Sequence, residues 1–361
     1  MFLFGFGSIV GNNSLVEKLV FARINKVRLR VGLVGLGDQW NSRHRPALRA
    51  LEDRYEVMAI CCEVADRSKL VANEFGAVPM DGFRAMIERQ DIDAVLALST
   101  DWAGPLPILA ACEAGKAVYS SAVLDISTDR AKEIWQRVDK SGVAFMAELP
   151  RRYAPATIRL KELIATRLGA PRLLFCHDRL PVESQEDRLR RGEYCPIVWR
   201  HIMEQVDWCR YIIEDDPESV VSVIHDSSND QRFYQMISLN FNEARGVRPV
   251  AQISLGHYIP GKWSDALSFR RPASIQVCCE NGMAFIDLPN TLIWFDDAGQ
   301  HTESLEQERT VGELMLDHFH RAVTSLIRKR SDLEDAYRAM QVVLSANESA
   351  ATGNRVFVRA I

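Results

Sequence analysis

RLRVGLVGLGDQWNSRHRPA, residues 28–47, is the stretch around which we expect the chain to fold. Residues 31–34 are almost wholly apolar, as in a strand that is buried on both faces of a parallel sheet. The run ends at Gly35 and Gly37, where a tight turn needs a residue without a side chain and a pyrophosphate can approach the backbone closely. The following residues have helical composition, so the free amides at the start of that helix would face the phosphates. The order strand, glycine turn, helix predicts a dinucleotide site.

Two further positions bear on this site. The dinucleotide fingerprint has a third glycine or alanine that lets the helix pack on the strand, and Trp40 occupies that position. The indole could block the pyrophosphate turn, in which case the turn would be structural only. An acidic residue favours nucleotide binding, because residues 55–62 form a second apolar run and Glu63 after it could hydrogen-bond a ribose 2′-hydroxyl. Glu63 favours NAD over NADP, although Arg67 nearby could accept a 2′-phosphate.

Composition argues against several classes of function. The chain has 361 residues, of which 25% are charged and 47% hydrophobic, with a formal net charge of -4. This is ordinary for a globular protein with room for two domains, and it does not favour binding to nucleic acid or to an anionic membrane. No stretch approaches the roughly 18 apolar residues of a membrane span. The eight cysteines contain no C-x-x-C pair, which indicates reduced thiols in a cytoplasmic protein and no metal site.

Three regions are expected along the chain. Residues 1–26 form an N-terminal extension of the nucleotide domain, either a packing arm or the product of a start assigned too early. Residues 27–150 alternate strands with helices, which predicts a Rossmann domain with a doubly wound parallel sheet. Residues 151–361 are expected to form an α+β domain that carries the substrate site and the oligomer interface.

The last region begins with helices and continues with strands. Helices are predicted over residues 154–167 and 197–213. Strands with few helices between them follow from residue 220 onward, and such strands pair into an open, mainly antiparallel sheet. Asn281-Gly282 predicts a hairpin between two of them. Two C-terminal helices, starting near residues 311 and 333, are expected to pack back on the first domain.

Several short motifs follow one another in a characteristic order. They are VGLVGLG with His44 and Pro46-Ala47-Leu48 behind it, IDAVLALST, ACEAGKAV, RRYAP at residues 151–155, LKELI with LGAPR behind it, and ESAATGNRV near the end. In this order the chain resembles the Gfo/Idh/MocA family, the glucose-fructose oxidoreductase and inositol dehydrogenase group of NAD(P)-dependent sugar and polyol dehydrogenases. The resemblance implies a Rossmann domain followed by a domain whose open sheet carries substrate and often the oligomer interface.

The sequence departs from the family's catalytic lysine. Members usually follow the strand at residues 117–119 with Glu-Lys-Pro, and the lysine binds substrate near the nicotinamide and assists proton transfer. This chain has Ser121, Ala122 and Val123 there, so Ala122 holds the lysine position. An alanine can neither donate nor accept a proton.

The second family element is an Asp-x-Gly-x-His-x-x-Asp pattern on the long helix of the substrate domain. If Asp207 matches the last aspartate, Arg200 replaces the first and Glu204 replaces the catalytic histidine. His201 lies one helical turn from the expected position and shares a face with Glu204. His201, Glu204 and Asp207 are therefore candidate proton-transfer residues. The alternative is a salt-bridged helical face without catalytic function.

The remaining candidates surround the predicted nucleotide. Cofactor contacts are expected from the glycine turn and from the ends of neighbouring strands: Gly35, Gly37, Asp38, Gln39, Trp40, Glu63, Ser99, Thr100 and Ser121. Arg152 and Tyr153 begin the second domain, and together with Arg200 they are candidate substrate contacts. Arginines at a domain junction also form structural ion pairs, so this prediction has an alternative.

These features predict an NAD(P)-dependent oxidoreductase that acts on a hydroxyl-bearing carbon of a sugar, polyol or related small molecule, with NAD preferred. The alternative is a catalytically degenerate nucleotide- or ligand-binding protein on the same scaffold, or, if Trp40 blocks the turn, an oligomerising structural relative only. We prefer the enzyme because the glycine turn and the acidic residue are both kept. The expected partners are a small-molecule substrate and further copies of the chain, as a dimer or tetramer, with no nucleic acid and no membrane.

Overall fold

The computed structural model describes residues 28–99, 102–121, 128–181, 197–227, 232–243, 246–259, 265, 273–305, 309–325 and 331–358. Its first sheet has six parallel strands in the order β3-β2-β1-β4-β5-β6. The strands are β1 (Leu29–Val34), β2 (Tyr55–Cys61), β3 (Val78–Pro79), β4 (Ala94–Ala97), β5 (Ala117–Ser121) and β6 (Phe145–Glu148). The helices between them are α1 (Arg45–Ala50), α2 (Ala65–Phe75), α3 (Phe83–Ile87), α4 (Leu106–Glu113) and α5 (Thr128–Ser141), with a π-helical turn, Trp40–His44, before α1. This is the predicted Rossmann sheet, and its strand order reverses between β1 and β4.

The second sheet has nine strands in the order β14-β13-β12-β11-β7-β10-β9-β8-β15. They are β7 (Pro171–Pro181), β8 (Pro217–Ser227), β9 (Arg232–Phe241), β10 (Val250–Ile259), β11 (Ile275–Cys279), β12 (Met283–Asp287), β13 (Thr291–Asp296), β14 (Gly299–Ser304) and β15 (Val356–Phe357). Among the described strands, all neighbours are antiparallel except β7 and β10, which run parallel. The predicted open, mainly antiparallel sheet is confirmed.

The remaining helices lie against both sheets. They are a 3-10 turn (Pro150–Tyr153), α6 (Pro155–Leu163), a π-helical turn (Ile164–Leu168), α7 (Ile197–Ile213), α8 (Val311–Thr324) and α9 (Ser331–Thr352). Helix α8 returns to the first sheet's domain, where a Cβ on Gly312 would lie 2.7 Å from the Arg43 carbonyl oxygen. The Tyr55 hydroxyl of β2 also donates to the Leu316 carbonyl oxygen at 2.5 Å. Helix α9 contacts α7, β8 and α5.

The two sheets share one hydrophobic core. A single cluster of buried side chains contains Val34 and Ala147 from the first sheet, Val206 from α7, Ile253 from the second sheet and Val342 from α9. A second cluster covers the other face of the first sheet. Because α7 is part of the shared core, its position relative to the carboxyl ends of the first sheet is fixed by packing.

Three strands were not predicted from the sequence. Strands β3 and β15 have two residues each, too few to show an alternating pattern. Strand β14 has the sequence GQHTES and no buried residue, because it pairs with β13 at the edge of the sheet. Its polar composition is typical of a loop, so only the pairing identifies it as a strand.

Among the described residues, no helix is long and apolar enough to cross a membrane. The same residues contain no group of side chains that could hold a metal ion. All seven cysteines that the structure describes are free thiols. The predicted N-terminal extension lies outside the described residues.

Candidate active site

The carboxyl ends of β1 and β4 meet where the strand order reverses, and the glycine turn lies at this point. Gly35 and Gly37 have φ angles of 65° and 58°, in the left-handed region that favours glycine. A Cβ on Gly35 would lie 2.9 Å from the Ser99 carbonyl oxygen, and one on Gly37 would lie 2.7 Å from that of Leu98. Both glycines therefore let the turn pack against the end of β4. In this fold a dinucleotide binds in the crevice outside these strand ends.

Trp40 does not fill this crevice. Its side chain is 2% exposed and belongs to the hydrophobic core, with its ring centroid 5.9 Å from that of Phe75 on α2. A small third residue would let the helix pack directly on the sheet. Here the indole fills the space between the two. Only the backbone of Trp40 is left to contact a cofactor. The residues at the turn fit a bound dinucleotide, because the side chain that could have blocked it is buried elsewhere.

Glu63 lies exposed just beyond the end of β2. Strands β1 and β2 are parallel and pair Val34 with Cys61, so Glu63 and the glycine turn lie at the same edge of the sheet. Arg67, in the first turn of α2, donates to the Gly37 carbonyl oxygen at 3.4 Å. The Glu63 carboxylate and the Arg67 guanidinium thus lie beside the turn. This is where one ribose of a bound dinucleotide, the one nearer to α2, would lie.

The first half of α7 faces the glycine turn. The Arg200 guanidinium lies 3.6 Å from the Asp38 carboxylate, which directly follows Gly37. Glu204 is one helical turn further along, and its carboxylate is 3.7 Å from Nε of Arg151. The side chain of Gln39, next in the turn, accepts a hydrogen bond from Ser42 at 3.1 Å. The structure thus brings together candidate residues that are more than 150 positions apart in the sequence.

His201 lies beside a buried carboxylate that other side chains hold in place. Asp178 of β7 accepts hydrogen bonds from Arg151 and Gln205, both at 2.7 Å. His201 Nδ1 is 3.9 Å from the same carboxylate, and it is buried without a hydrogen-bond partner among the described residues. Burial lowers the pKa of His201 and outweighs the opposite effect of Glu204 and Asp178. The imidazole is therefore neutral near pH 7, the state in which it can accept a proton.

A second buried carboxylate, which was not predicted from the sequence, lies at this edge. Glu148 ends β6, and its Oε1 atom is 2.5 Å from Nε2 of His44, 3.1 Å from Arg43 and 3.2 Å from the Tyr119 hydroxyl. Burial alone would raise the pKa of Glu148, but His44 and Arg43 hold it well below its usual range. Arg43 and His44 lie in the π-helical turn that follows the glycine turn. The signal available in the sequence was that an acidic residue, Glu148, ends a buried strand. Their meeting depends on the tertiary fold.

Two predicted site residues belong instead to a buried ion-pair network. Arg152 donates to both oxygens of Asp207, at 2.7 and 2.5 Å, and to Asp335 of α9 at 2.7 Å. Asp207 is 1% exposed, so it cannot reach a substrate. Burial alone would lower the pKa of Arg152, but the two carboxylates raise it. These ion pairs join α7, α9 and the start of the second domain. We therefore assign Asp207 and Arg152 a structural role, in place of the predicted roles in proton transfer and substrate binding.

The other candidates are placed as follows. Tyr153 packs edge-on against His318 of α8, with ring centroids 5.5 Å apart, at the border of the second core cluster. Ser99 is buried beside Gly35. Ser121 ends β5, directly opposite Glu148 in the sheet. Thr100 and Ala122 lie outside the described residues.

Comparison with known proteins agrees with this architecture. Residues 29–149 match the GFO_IDH_MocA family, described as "Oxidoreductase family, NAD-binding Rossmann fold". The aldose-aldose oxidoreductase of Caulobacter crescentus has a similar structure, with a TM-score of 0.75 at 15% identity over 91% of this chain and 99% of that chain. At this identity the likeness shows a common fold, and it extends over both sheets.

Two curated relatives are similar in sequence over shorter stretches. Inositol 2-dehydrogenase 3 of Saccharopolyspora erythraea is 29% identical over 214 residues, which are 57% of this chain and 59% of that protein. A dTDP-3,4-didehydro-2,6-dideoxy-alpha-D-glucose 3-reductase of Actinomadura kijaniata is 33% identical over 123 residues, which are 33% of this chain and 35% of that protein. The matched segments thus cover between a third and three fifths of these relatives.

Proposed function

We propose that this chain is an oxidoreductase of the Gfo/Idh/MocA type, whose family model matches its residues 29–149. It oxidises or reduces a hydroxyl-bearing carbon of a sugar, polyol or related small molecule, with a nicotinamide dinucleotide as the redox partner. The observation that carries this proposal is the approach of α7 to the glycine turn. Arg200 lies 3.6 Å from Asp38, and His201 and Glu204 follow it on the same helix. This supports a position for both side chains near the strand ends where a dinucleotide binds in this fold. The names of the relatives, which include an inositol dehydrogenase and a sugar reductase, support the substrate class.

The chain's own residues would hold and activate the substrate. When bound, the nicotinamide supplies or accepts the hydride. His201, neutral because burial lowers its pKa, accepts the proton from the substrate hydroxyl during oxidation and returns it during reduction. Glu204 faces the same cleft and either orients the hydroxyl or shares the proton. Arg151 and Gln205 hold Asp178, and Asp178 favours one orientation of the imidazole.

A titration and a substrate panel test the proposal. NADH added to the protein should quench tryptophan fluorescence, with Trp102, 39% exposed beyond β4, as the reporter. Trp102→Phe should lose most of this quench and keep the affinity, measured from the fluorescence of NADH itself. A panel containing myo-inositol, D-xylose and D-glucose with NAD and NADP should then give nicotinamide absorbance for at least one member. A flat titration at millimolar NADH and NADPH would overturn the proposal.

We further propose NAD as the preferred cofactor. Glu63, exposed at the end of β2, would accept a hydrogen bond from a ribose 2′-hydroxyl and repel a 2′-phosphate. Glu63→Gln should therefore lower the ratio of NADH to NADPH affinity about tenfold, equivalent to ~1.4 kcal/mol, because Arg67 remains beside the turn. Glu56→Gln is the matched control, since Glu56 lies at the opposite end of β2, where its carboxylate is 3.9 Å from Arg28. A wild type that binds NADPH more tightly than NADH would contradict this assignment.

We also propose that copies of the chain associate through the open face of the second sheet. Val223 of β8 and Met236 of β9 lie directly opposite each other and are 55% and 43% exposed, and Leu173 of β7 is 43% exposed. Strands β8 and β9 are neighbours, and β7 lies beyond β10 in the same sheet. Exposed apolar side chains that form such a patch are typical of an interface. Light scattering should give at least twice the mass of one chain, and Val223→Asp with Met236→Asp should halve it. A monomeric wild type would contradict the proposal, as would an unchanged mass of the variant.

The free thiols are consistent with a cytoplasmic location.

A further inference from the structure

The ends of β5 and β6 lie side by side, because Ser121 pairs with Glu148 across these strands. The next residue in the sequence is Ala122, at the position where the resemblance to the Gfo/Idh/MocA family implies a lysine. Arg43 comes from a different part of the chain, the π-helical turn behind the glycine turn. Its guanidinium lies 3.1 Å from Glu148, so it reaches this same edge.

Arg43 also faces the second domain. The Glu204 carboxylate on α7 interacts with its charge, as Glu148 does, and together they raise the pKa of Arg43 although burial alone would lower it. The Arg43 side chain is 19% exposed, so it is not wholly enclosed by protein. Arg43 thus reaches the end of β6, and its charge interacts with the carboxylate of Glu204 on α7.

We propose that Arg43 stabilises the negative charge that develops on the substrate oxygen, and so supplies the cation that Ala122 cannot. This inference rests on the proposed function. In oxidation, the hydrogen of the C–H bond leaves with both bonding electrons, as a hydride that the nicotinamide would accept; the O–H proton goes to His201 or Glu204, and the electrons of the O–H bond form the C=O bond. Arg43 gains and loses no atom, because a guanidinium keeps its proton at any pH of interest. In the family the lysine both binds substrate and assists proton transfer. Here Arg43 binds the substrate oxygen, and His201 or Glu204 on α7 takes the proton.

The competing explanation is that Arg43 only neutralises Glu148. Two other donors, His44 at 2.5 Å and the Tyr119 hydroxyl at 3.2 Å, hold the same Glu148 oxygen. Glu148 therefore keeps two of its three partners when Arg43 is replaced. A purely structural Arg43 would act through Glu148, so changing either residue would then have the same consequence.

The test compares Arg43→Gln, Arg43→Lys and Glu148→Gln in the full chain, using the panel member that the wild type turns over best. Arg43→Gln should lower kcat about 100-fold, the usual cost of losing one donor to a developing oxyanion, with NADH affinity within twofold of wild type. Arg43→Lys should recover most of kcat. The loss of kcat in Glu148→Gln should be smaller than the loss in Arg43→Gln. A crystal structure with NADH and the carbonyl product should place an Arg43 nitrogen about 3 Å from the carbonyl oxygen.

The outcomes separate this inference from the proposed function. If the wild type turns over and Arg43→Gln is equally active, the inference fails and the proposed function stands. The same holds if Arg43→Gln and Glu148→Gln lose equal activity with equal loss of melting temperature, or if the crystal structure leaves Arg43 out of reach of the product oxygen. If the wild type neither binds NADH nor turns over any panel member, both fail together.

Discussion

Replacing His201 and Glu204 together with alanine is expected to lower kcat by about 10⁴-fold, the upper end of what general acid–base groups contribute. The two side chains lie on the face of α7 that approaches the glycine turn through Arg200 and Asp38. Without them the substrate hydroxyl has no group on α7 to take its proton. NADH affinity should stay within twofold of wild type, because the turn at Gly35 and Gly37 is unchanged. Stopped-flow measurement of nicotinamide absorbance gives the rate, and a fluorescence titration gives the affinity.

The single variants and a pH profile identify the base. Because burial lowers the pKa of His201 below 6.5, the neutral base predominates at pH 7, and the oxidation rate should fall as pH drops through that pKa. His201→Ala should remove this acid limb, whereas Glu204→Ala should keep it. His225→Ala with Glu214→Ala is the matched control, because it removes one exposed imidazole and one exposed carboxylate outside the cleft. A double variant of His201 and Glu204 with wild-type kcat would refute the assignment.

Replacing Asp207 with alanine is expected to destabilise the protein by about 3–5 kcal/mol, the usual cost of leaving a buried charge without its partner. Asp207 is 1% exposed and holds two nitrogens of Arg152, whose side chain is 13% exposed. After the change, Arg152 would keep Asp335 as its carboxylate partner within hydrogen-bond distance among the described residues. Urea denaturation followed by circular dichroism gives the free energy of unfolding.

A double variant separates this structural role from a catalytic one. Asp207→Ala with Arg152→Met removes both buried charges, and it should recover part of the lost stability because no unpaired guanidinium remains. The folded fraction of Asp207→Ala should retain NADH binding and most of kcat. A 100-fold loss of kcat without loss of stability would instead restore Asp207 as a proton-transfer residue.

The fold could be predicted from the sequence because its signals are local. Residues 197–213 form a helix with the bounds that their apolar spacing predicts. Strand β14 could not be predicted in this way, since a polar edge strand is defined by its pairing with β13 and carries no buried face. The hairpin at Asn281-Gly282 was predicted because its turn chemistry is local.

The candidate site could be predicted only in part. Sequence spacing put His201 and Glu204 on one face of α7, and the structure places Arg200 of the same helix 3.6 Å from Asp38 of the glycine turn. The proton-transfer roles of His201 and Glu204 stay predictions. The same spacing could not separate Glu204 from Asp207, because both follow from one alignment to the family pattern. The two carboxylates have different neighbours. Glu204 lies near Arg43 and Arg151, whereas Asp207 pairs with Arg152, which also binds α9.

The sequence by itself determined the strand, glycine turn and helix at residues 28–47 and the succession of a parallel and a mainly antiparallel sheet. These depend on hydrophobic period and on the positive φ of two glycines, which are properties of neighbouring residues. Only the tertiary structure decided that Trp40 is buried in the core, that Arg152 pairs with Asp207, and that Arg43 reaches Glu148. Those outcomes depend on which charges and surfaces meet across 35 to 105 residues of chain, and no local pattern specifies such contacts.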